Sequence, residues 1–170
     1  MTDVLTDVTG LNKLIATGTH AMRHVVTELR PTLLDQVGLV FAIENYVQEF
    51  VNDMQITCNL ELPEAEPALG DNQSAAIFRI IQESLTNVTK HARASLVCLT
   101  LSVLDSSLKL TISDNGTGFD PHTQIKKSFG LIGIRERAAI MGGMSEITSA
   151  ANLGTTVRVT IPINPHISDA

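Results

Sequence analysis

The segment LKLTISDNGTGF, residues 108–119, contains the pattern that decides the fold. Its first apolar residues alternate with polar ones, which predicts a strand with one buried face. The alternation ends at Asp114. Gly116 and Gly118 follow and allow the backbone to bend tightly and to approach a ligand without obstruction by a Cβ. We therefore expect a strand that delivers one carboxylate to the edge of a binding site.

Two known loop types do not fit this segment. A calcium-binding loop would need oxygen ligands at the two glycine positions and a Glu at position 125, which is Ile125. A dinucleotide-binding fingerprint would need a third glycine at position 121, which is Pro121. A plain turn remains open when this segment is considered alone.

The sequence around the segment alternates between two periodicities. Residues 71–92 have helical spacing, with Asp71 or Asn72 as the expected cap. The apolar positions of that helix predict a buried face made by Ile77, Ile80, Ile81, Leu85 and Val88. A second helical pattern covers residues 130–143, and strand patterns cover 55–62, 95–104, 108–114, 144–150 and 155–162. We expect 95–104 and 108–114 to form a hairpin, and 144–150 and 155–162 to form a second strand pair. This order predicts an α+β fold, a two-layer sandwich with helices on one face of a mixed, mainly antiparallel sheet.

Residues 1–54 predict an N-terminal helical segment. Its first part has the alternating spacings of four and three that are typical of a helix packed against other helices: Val4, Val8, Leu11, Ile15, Gly18, Met22, Val25 and Leu29. An amphipathic helix that covers its own core remains open for this part. A second helical pattern after Pro31 uses Leu34, Val37, Val40, Phe41, Val47, Phe50, Val51 and Met54.

Composition excludes several classes of function. The net charge of −6 argues against a nucleic-acid-binding protein, whose affinity comes largely from Lys and Arg that neutralise phosphates. Cys58 and Cys98 lack the spacing of a metal site or a disulfide framework, so we expect buried structural thiols. The N-terminus lacks a basic stretch before an apolar one, and no apolar run is long enough to span a bilayer. A cytoplasmic location is the expectation.

A polar stripe runs along the helix predicted at residues 71–92. Glu83, Asn87 and His91 are spaced by four, and Lys90 lies three residues after Asn87. The stripe fits a solvated helix flank, but its chemistry also suits a magnesium-phosphate group. Asn offers magnesium a hard oxygen ligand, and Lys offers phosphate a point charge.

Four motifs together resemble the ATP-binding domain of sensor histidine kinases. They occur in the order and spacing of that family: ESLTNVTKHA (83–92), DNGTGF (114–119), FGLIGIRERAAIMGG (129–143) and GTTVRVTIP (154–162). A further segment, ELRPTLLDQVGLVFAI (28–43), resembles the end of the dimerisation helices in the nitrate/nitrite-sensor subfamily. The resemblance implies the fold shared with gyrase and Hsp90-type ATPases, with ATP held under a mobile lid at residues 120–129.

The resemblance also implies three regions in the chain. Residues 1–54 would be part of the dimerisation and phosphotransfer helices, residues 55–163 the ATP-binding catalytic domain, and residues 164–170 a C-terminal tail. Within the catalytic domain, Asp114 resembles the carboxylate that accepts a hydrogen bond from the adenine amino group. Asn87 resembles the magnesium ligand and Lys90 a phosphate contact, while His91 falls in the same motif.

The remaining site residues follow from the same resemblance. Backbone N–H groups of a second glycine motif, residues 129–133, would hold phosphate oxygens, and Thr155 or Thr156 would close the adenine end with a hydroxyl. Glu83 occupies the place of the water-activating Glu of the ATPase relatives. Lys126 and Lys127 lie in the lid, where they fit either phosphate contacts or a solvated loop. The other expected nucleotide-binding residues are Gly116, Gly118, Phe119, Gly130, Leu131 and Gly133.

One part of the family pattern is missing. The phospho-accepting histidine of the family precedes an acidic residue well upstream of the LRP segment, whereas His20 and His24 precede Ala and Val close to it. We therefore expect transfer from Mg-ATP to a histidine on a helix absent from this chain, and no self-phosphorylation of the chain alone. The expected partners are that helix, a response regulator and a second copy in a homodimer. A non-catalytic ATP-binding module or a serine kinase like the anti-sigma-factor kinases remains the alternative.

Overall fold

A computed structural model describes residues 34, 37–121 and 128–163 of the chain. The predictions for the first helical seam, for His20 and His24, for Lys126 and Lys127 and for the tail lie outside these residues. The described helices are α1 (Leu39–Met54), α2 (Asp71–Asn87) and α3 (Phe129–Ile140), and a π-helical turn, Val88–Ala92, continues α2. The strands are β1 (Thr57–Glu61), β2 (Leu96–Leu104), β3 (Ser107–Asp114), β4 (Met144–Ser149) and β5 (Thr155–Pro162).

The five strands form one sheet in the order β1-β2-β3-β5-β4. β1 runs parallel to β2, and every other neighbouring pair is antiparallel. Alternate residues of β2, β3 and β5 are buried and join side chains of the three helices in one aliphatic core. The predicted α+β class, with helices on one face of a mixed sheet, is confirmed.

The helix predicted at residues 71–92 differs from the structure at both of its ends. Gly70, and not Asp71 or Asn72, is the N-cap residue: its carbonyl accepts the N–H groups of Gln73 and Ser74 at 2.9 and 3.0 Å. At the other end the last turn is π-helical, and the chain leaves it through Arg93 with φ 50°. The predicted buried face of Ile77, Ile80, Ile81, Leu85 and Val88 is confirmed.

Only part of the apolar pattern predicted for the helix after Pro31 contributes to the core. The structure buries Val47 and Phe50 as predicted, but the rest of the buried face consists of Leu39, Ala42 and Ile43. Val37, Phe41 and Met54 are exposed by at least two fifths of their surface. Apolar residues lie on more than one side of this helix, so spacing alone does not identify the side that packs against α2 and β1.

A residue far along the chain caps α1. The carboxylate of Glu66, in the loop between β1 and α2, accepts the backbone N–H of Leu39 and, at 3.1 Å, that of Val40. The N-cap residue Gly38 makes no such contact itself. A carboxylate at this place stabilises the positive end of the helix dipole and pairs N–H groups that have no partner within the helix. The first turn of α1 is therefore attached to the loop that leads into α2.

Two further predictions from composition can be compared with the structure. Cys58 and Cys98 are free thiols, but each is only partly buried and not fully buried as predicted. None of the helices in the described ranges has the length and apolarity that a bilayer crossing requires.

Candidate functional site

A cavity of about 270 Å³ opens between the helix layer and one end of the sheet. Its walls come from α2 and the π-helical turn, from the ends of β3 and β5, and from the start of α3. Residues that line it are Ser84, Asn87, Val88, His91, Ala92, Ile112, Asp114, Thr117, Gly118, Phe119, Ser128, Leu131, Thr155 and Val157. The cavity thus brings together parts of all four sequence motifs.

Asp114 supplies the carboxylate in the wall of this cavity. The backbone N–H of Gly116 donates to its Oδ1 at 2.8 Å, and the backbone N–H of Thr155 donates to the same carboxylate. Burial raises the pKa of Asp114 above its ordinary value, and these two hydrogen bonds oppose that rise. The side chain is thus held in one orientation by the backbone, and its remaining lone pairs are available to a ligand.

The loop after Asp114 is fastened to the π-helical turn. Thr117 donates from its backbone N–H to the carbonyl of Ala92 at 2.7 Å and from its hydroxyl to the carbonyl of His91 at 3.2 Å. Gly116 fits only because it lacks a side chain, since a Cβ there would lie 2.3 Å from the carbonyl oxygen of Ala92. Helical turns of the π type often occur at functional sites, and this one positions the loop that follows the carboxylate.

Asn115 fastens the same loop to the start of β2. Its Oδ1 accepts the backbone N–H groups of Ser95 and Leu96 at 2.9 and 3.0 Å, and its Nδ2 donates to the Ser95 hydroxyl at 2.9 Å. Three hydrogen bonds from one side chain fix the position of its neighbour Asp114. The sequence prediction did not include Asn115, because its role depends on the strand that lies beside it in space.

Only two of the four residues in the polar stripe of α2 line the cavity. Asn87 and His91 line the cavity, whereas Glu83 and the exposed Lys90 are not among its lining residues. The Nδ2 of Asn87 donates to Oε1 of Glu83 at 3.3 Å, so the Oδ1 of Asn87 remains as a free acceptor. The predicted phosphate contact by Lys90 therefore has no support from the lining of this cavity. The π-helical turn changes the helical spacing just before Lys90.

The start of α3 forms the wall opposite the sheet. Ser128 is its N-cap residue and accepts the N–H of Leu131 at 3.5 Å, and both residues line the cavity. Gly130 and Gly133 do not: a Cβ at Gly130 would meet Glu83, and one at Gly133 would meet the side chain of Arg137. The unpaired backbone N–H groups of a helix start attract anions, so this wall suits a phosphate group.

Alternation along β5 separates the two candidate threonines. Thr155 lies opposite Asp114 in the register and lines the cavity, as does Val157 two residues later. Thr156 lies opposite Ser113 and is not among the lining residues. Phe119 lines the cavity as well, and its backbone N–H donates to the hydroxyl of Ser149 at 2.9 Å.

The sequence prediction also missed Ser149. It ends β4 and lies opposite Thr155 in the strand register. The sequence predicts β4 and β5 as a strand pair, which the structure confirms, but it does not indicate the register that places Ser149 opposite Thr155. The described residues contain no cluster of three or more His, Cys, Asp or Glu side chains that could hold a metal ion.

Comparison with known proteins agrees with this geometry. Residues 72–165, more than half of the chain, match the family model described as "Histidine kinase-, DNA gyrase B-, and HSP90-like ATPase". The histidine kinase domain of the Erythrobacter litoralis EL346 blue-light activated histidine kinase has a similar fold. Its TM-score is 0.64 at 23% identity, over 74% of this chain and 61% of that one.

Curated relatives cover nearly the whole chain. The signal transduction histidine-protein kinase/phosphatase DegS of Brevibacillus brevis is 31% identical over 161 residues, which is 95% of this chain and 42% of that protein. The kinase/phosphatase UhpB of Salmonella typhimurium is 37% identical over 143 residues, or 84% of this chain and 28% of that protein. The chain thus spans less than half the length of these relatives. The resemblance inferred from the four motifs is confirmed, and the chain belongs to the family of histidine kinase-, DNA gyrase B- and HSP90-like ATPases.

Proposed function

We propose that this chain is the ATP-binding catalytic part of a sensor histidine kinase of the nitrate/nitrite-sensor type. In this proposal it transfers the γ-phosphoryl group of Mg-ATP to a histidine on a dimerisation helix outside the chain. Residues 55–163 form the catalytic domain, residues 1–54 belong to the dimerisation region, and residues 164–170 are a tail. The segment works in the cytoplasm within a homodimer, and a response regulator receives the phosphoryl group.

The strongest support is the position of Asp114 at the edge of an apolar slot. Ile112, Val157, Leu131 and Val88 give the cavity apolar walls suited to a flat ring. The carboxylate of Asp114 is fixed by two backbone N–H groups and accepts further hydrogen bonds. An exocyclic amino group next to a planar ring, as in adenine, satisfies both features, whereas a carbonyl at the same place would face a carboxylate.

The opposite side of the cavity suits the phosphates. The start of α3 offers backbone N–H groups to phosphate oxygens, and Asn87 offers its Oδ1 to a magnesium ion because Nδ2 is held by Glu83. Magnesium binds carbonyl oxygens of this kind together with phosphate oxygens and water. When bound, the ion would neutralise negative charge on the phosphates during transfer.

Phosphoryl transfer depends mainly on position and charge neutralisation. The acceptor imidazole nitrogen forms a bond to the γ-phosphorus while the bond from that phosphorus to the β–γ bridging oxygen breaks, and ADP leaves with the electron pair. The chain's own residues hold adenine at Asp114 and the phosphates at α3. The partner helix must bring its nitrogen in line with the γ-phosphorus.

Calorimetry tests the nucleotide assignment. The chain should bind ADP or ATP and should bind GTP much more weakly, because GTP presents a carbonyl to Asp114 and costs roughly 1 to 3 kcal/mol. Asp114→Asn should weaken ADP binding. Asp105→Asn, in the exposed β2–β3 turn, is the matched control and should bind as the unaltered chain does. Equal affinity for ATP and GTP would contradict the assignment.

A labelling experiment tests the transfer step. The chain alone should not label itself with γ-labelled ATP, and addition of a histidine-bearing dimerisation segment should produce label that is labile to acid and stable to base. Label on serine would support the anti-sigma-factor type of kinase instead. Nucleotide binding without transfer to any supplied segment would support the non-catalytic module.

A further inference from the structure

We propose that Ser149 is a positioning residue that fixes the proton of the Thr155 hydroxyl and so makes Thr155 a hydrogen-bond acceptor toward the ligand. The inference rests on the proposed binding of adenine beside Asp114. It adds a second determinant of base specificity that does not come from Asp114 itself.

The three residues form a row across the end of the sheet. Ser149 on β4 is the register partner of Thr155 on β5, and Thr155 is the partner of Asp114 on β3. Asp114 and Thr155 line the cavity, whereas Ser149 does not and stands behind Thr155. Ser149 can therefore act on a ligand only through neighbours that line the cavity, and Thr155 is the one whose side chain it contacts.

The hydrogen bonds of Ser149 determine the direction of the one that it makes with Thr155. Its Oγ lies 2.9 Å from the backbone nitrogen of Phe119, 2.8 Å from the carbonyl oxygen of Gly154 and 3.1 Å from Oγ1 of Thr155. A hydroxyl has one proton to donate and two lone pairs that accept. The four groups thus form a small network in which each role can be assigned.

Elimination assigns the protons. The N–H of Phe119 can only donate, so it uses one lone pair of Ser149. The carbonyl of Gly154 can only accept, so it uses the single proton of Ser149. Ser149 has one lone pair left for Thr155, and the Thr155 hydroxyl must therefore donate to Ser149. Both lone pairs of Thr155 Oγ1 then remain for a ligand in the cavity.

This arrangement places two acceptors beside each other in the wall of the cavity. The Asp114 carboxylate has no proton to donate when it is ionised. The Thr155 hydroxyl has none for a ligand because it already donates its hydrogen bond to Ser149. An amino group carries two N–H donors and suits such a pair, whereas a carbonyl meets two acceptors and has no donor. Free rotation of the Thr155 hydroxyl would instead allow it to donate to a carbonyl, and Ser149 prevents that rotation.

The test compares ADP with inosine diphosphate, which has a carbonyl in place of the amino group on the ring. Calorimetry gives the ratio of the two dissociation constants for the unaltered chain, Ser149→Ala and Ser149→Thr. Ser149→Ala should lower the discrimination against inosine diphosphate by about fivefold to tenfold, the effect of one neutral hydrogen bond. Ser149→Thr keeps the hydroxyl and should keep the ratio.

A second background separates positioning from a general structural effect. Thr155→Val has no hydroxyl to orient, so adding Ser149→Ala to it should leave the ratio unchanged. Loss of the Phe119 contact alone would weaken both nucleotides together and would not change their ratio. Ser149→Cys keeps a side chain of the same shape, slightly larger, and serves if Ser149→Ala does not fold; its weaker hydrogen bonding should lower the ratio in the same direction.

The outcomes distinguish the inference from the function on which it rests. Failure of the unaltered chain to bind ADP would overturn the proposed function and this inference with it. ADP binding with the same ratio in Ser149→Ala, or in Ser149→Cys if that variant replaces it, would overturn the inference alone. An equal change in ratio from Ser149→Ala in the Thr155→Val background would also overturn it, because Ser149 would then act without Thr155.

Discussion

Oε1 of Glu83 occupies the space into which a side chain on Gly130 would extend, since an ideal Cβ on that glycine would lie 1.9 Å from it. Glu83 is on α2, and Gly130 is in the first turn of α3. The same carboxylate oxygen accepts the Nδ2 of Asn87 at 3.3 Å. Glu83 therefore lies against the first turn of α3 and also accepts a hydrogen bond from Asn87, the residue that offers an oxygen to the cavity.

Gly130→Ala should break this arrangement. The new methyl group must displace the carboxylate of Glu83, and the hydrogen bond that Asn87 donates to that carboxylate is then lost. We expect the free energy of unfolding, measured with urea, to fall by about 1 kcal/mol. Glu83→Ala in the same chain should remove that penalty, giving a coupling of similar size in a double-mutant cycle. Additive effects of the two substitutions would contradict the contact.

Nucleotide affinity should fall as the pH is lowered toward the raised pKa of Asp114. Burial raises this pKa above the ordinary value of an Asp, so the free chain takes up a proton at a higher pH than an exposed Asp does. An amino group of the ligand pairs with the ionised carboxylate, so binding lowers the pKa and releases a proton in that range. Calorimetry in two buffers of different ionisation enthalpy should detect more proton release at mildly acidic than at neutral pH. Equal release at both would show that Asp114 does not pair with the ligand.

Gly154→Ala should be strongly destabilising. Gly154 has φ +74°, and a Cβ there would lie 1.9 Å from the backbone oxygen of Asp114, which cannot move aside as a side chain could. We expect a loss of at least ~2 kcal/mol in the free energy of unfolding. Gly70→Ala is the matched control, since a Cβ there would meet nothing within 4 Å. Because Ala is less favourable than Gly at an N-cap, we expect this substitution to cost about 0.5–1 kcal/mol. Similar effects of the two substitutions would refute this account.

Asn87→Ala should weaken nucleotide binding in the presence of magnesium by roughly tenfold, equivalent to ~1.4 kcal/mol, because one oxygen ligand is lost. Binding measured with a chelator present should change much less. Asn72→Ala, on an exposed position of the same helix, is the control. Glu83→Gln should keep its affinity for nucleotide. A Glu83→Gln variant that loses the nucleotide while Asn87→Ala retains it would reverse the two roles.

The sequence predicts the strands well because their faces differ in exposure. β3 and β5 bury every second residue, and that period of two is visible in the chain itself. The same period shows that only one of Thr155 and Thr156 can face the cavity. It does not show which one, because that depends on the register with Asp114 on a different strand.

The missed features all depend on contacts between distant segments. α1 has apolar residues on two sides, and only its packing against α2 and β1 selects Leu39 and Ile43 over Phe41. The π-helical turn has no signal of its own in a sequence that continues the helical period. Ser149 enters the site through the register of β4 against β5, which the sequence does not indicate although it predicts that the two strands pair.

The capping of α1 by Glu66 has a mechanical consequence. Because the first turn of α1 is bonded to the loop before α2, a pull or a twist applied to the backbone at Gly38 loads that loop directly as well as the packing along α1. The loop leads into α2, a helix of 17 residues whose far end reaches the cavity at Asn87. The carboxylate of Glu66 is therefore a direct mechanical connection between the start of α1 and the segment that leads to the nucleotide-facing end of α2.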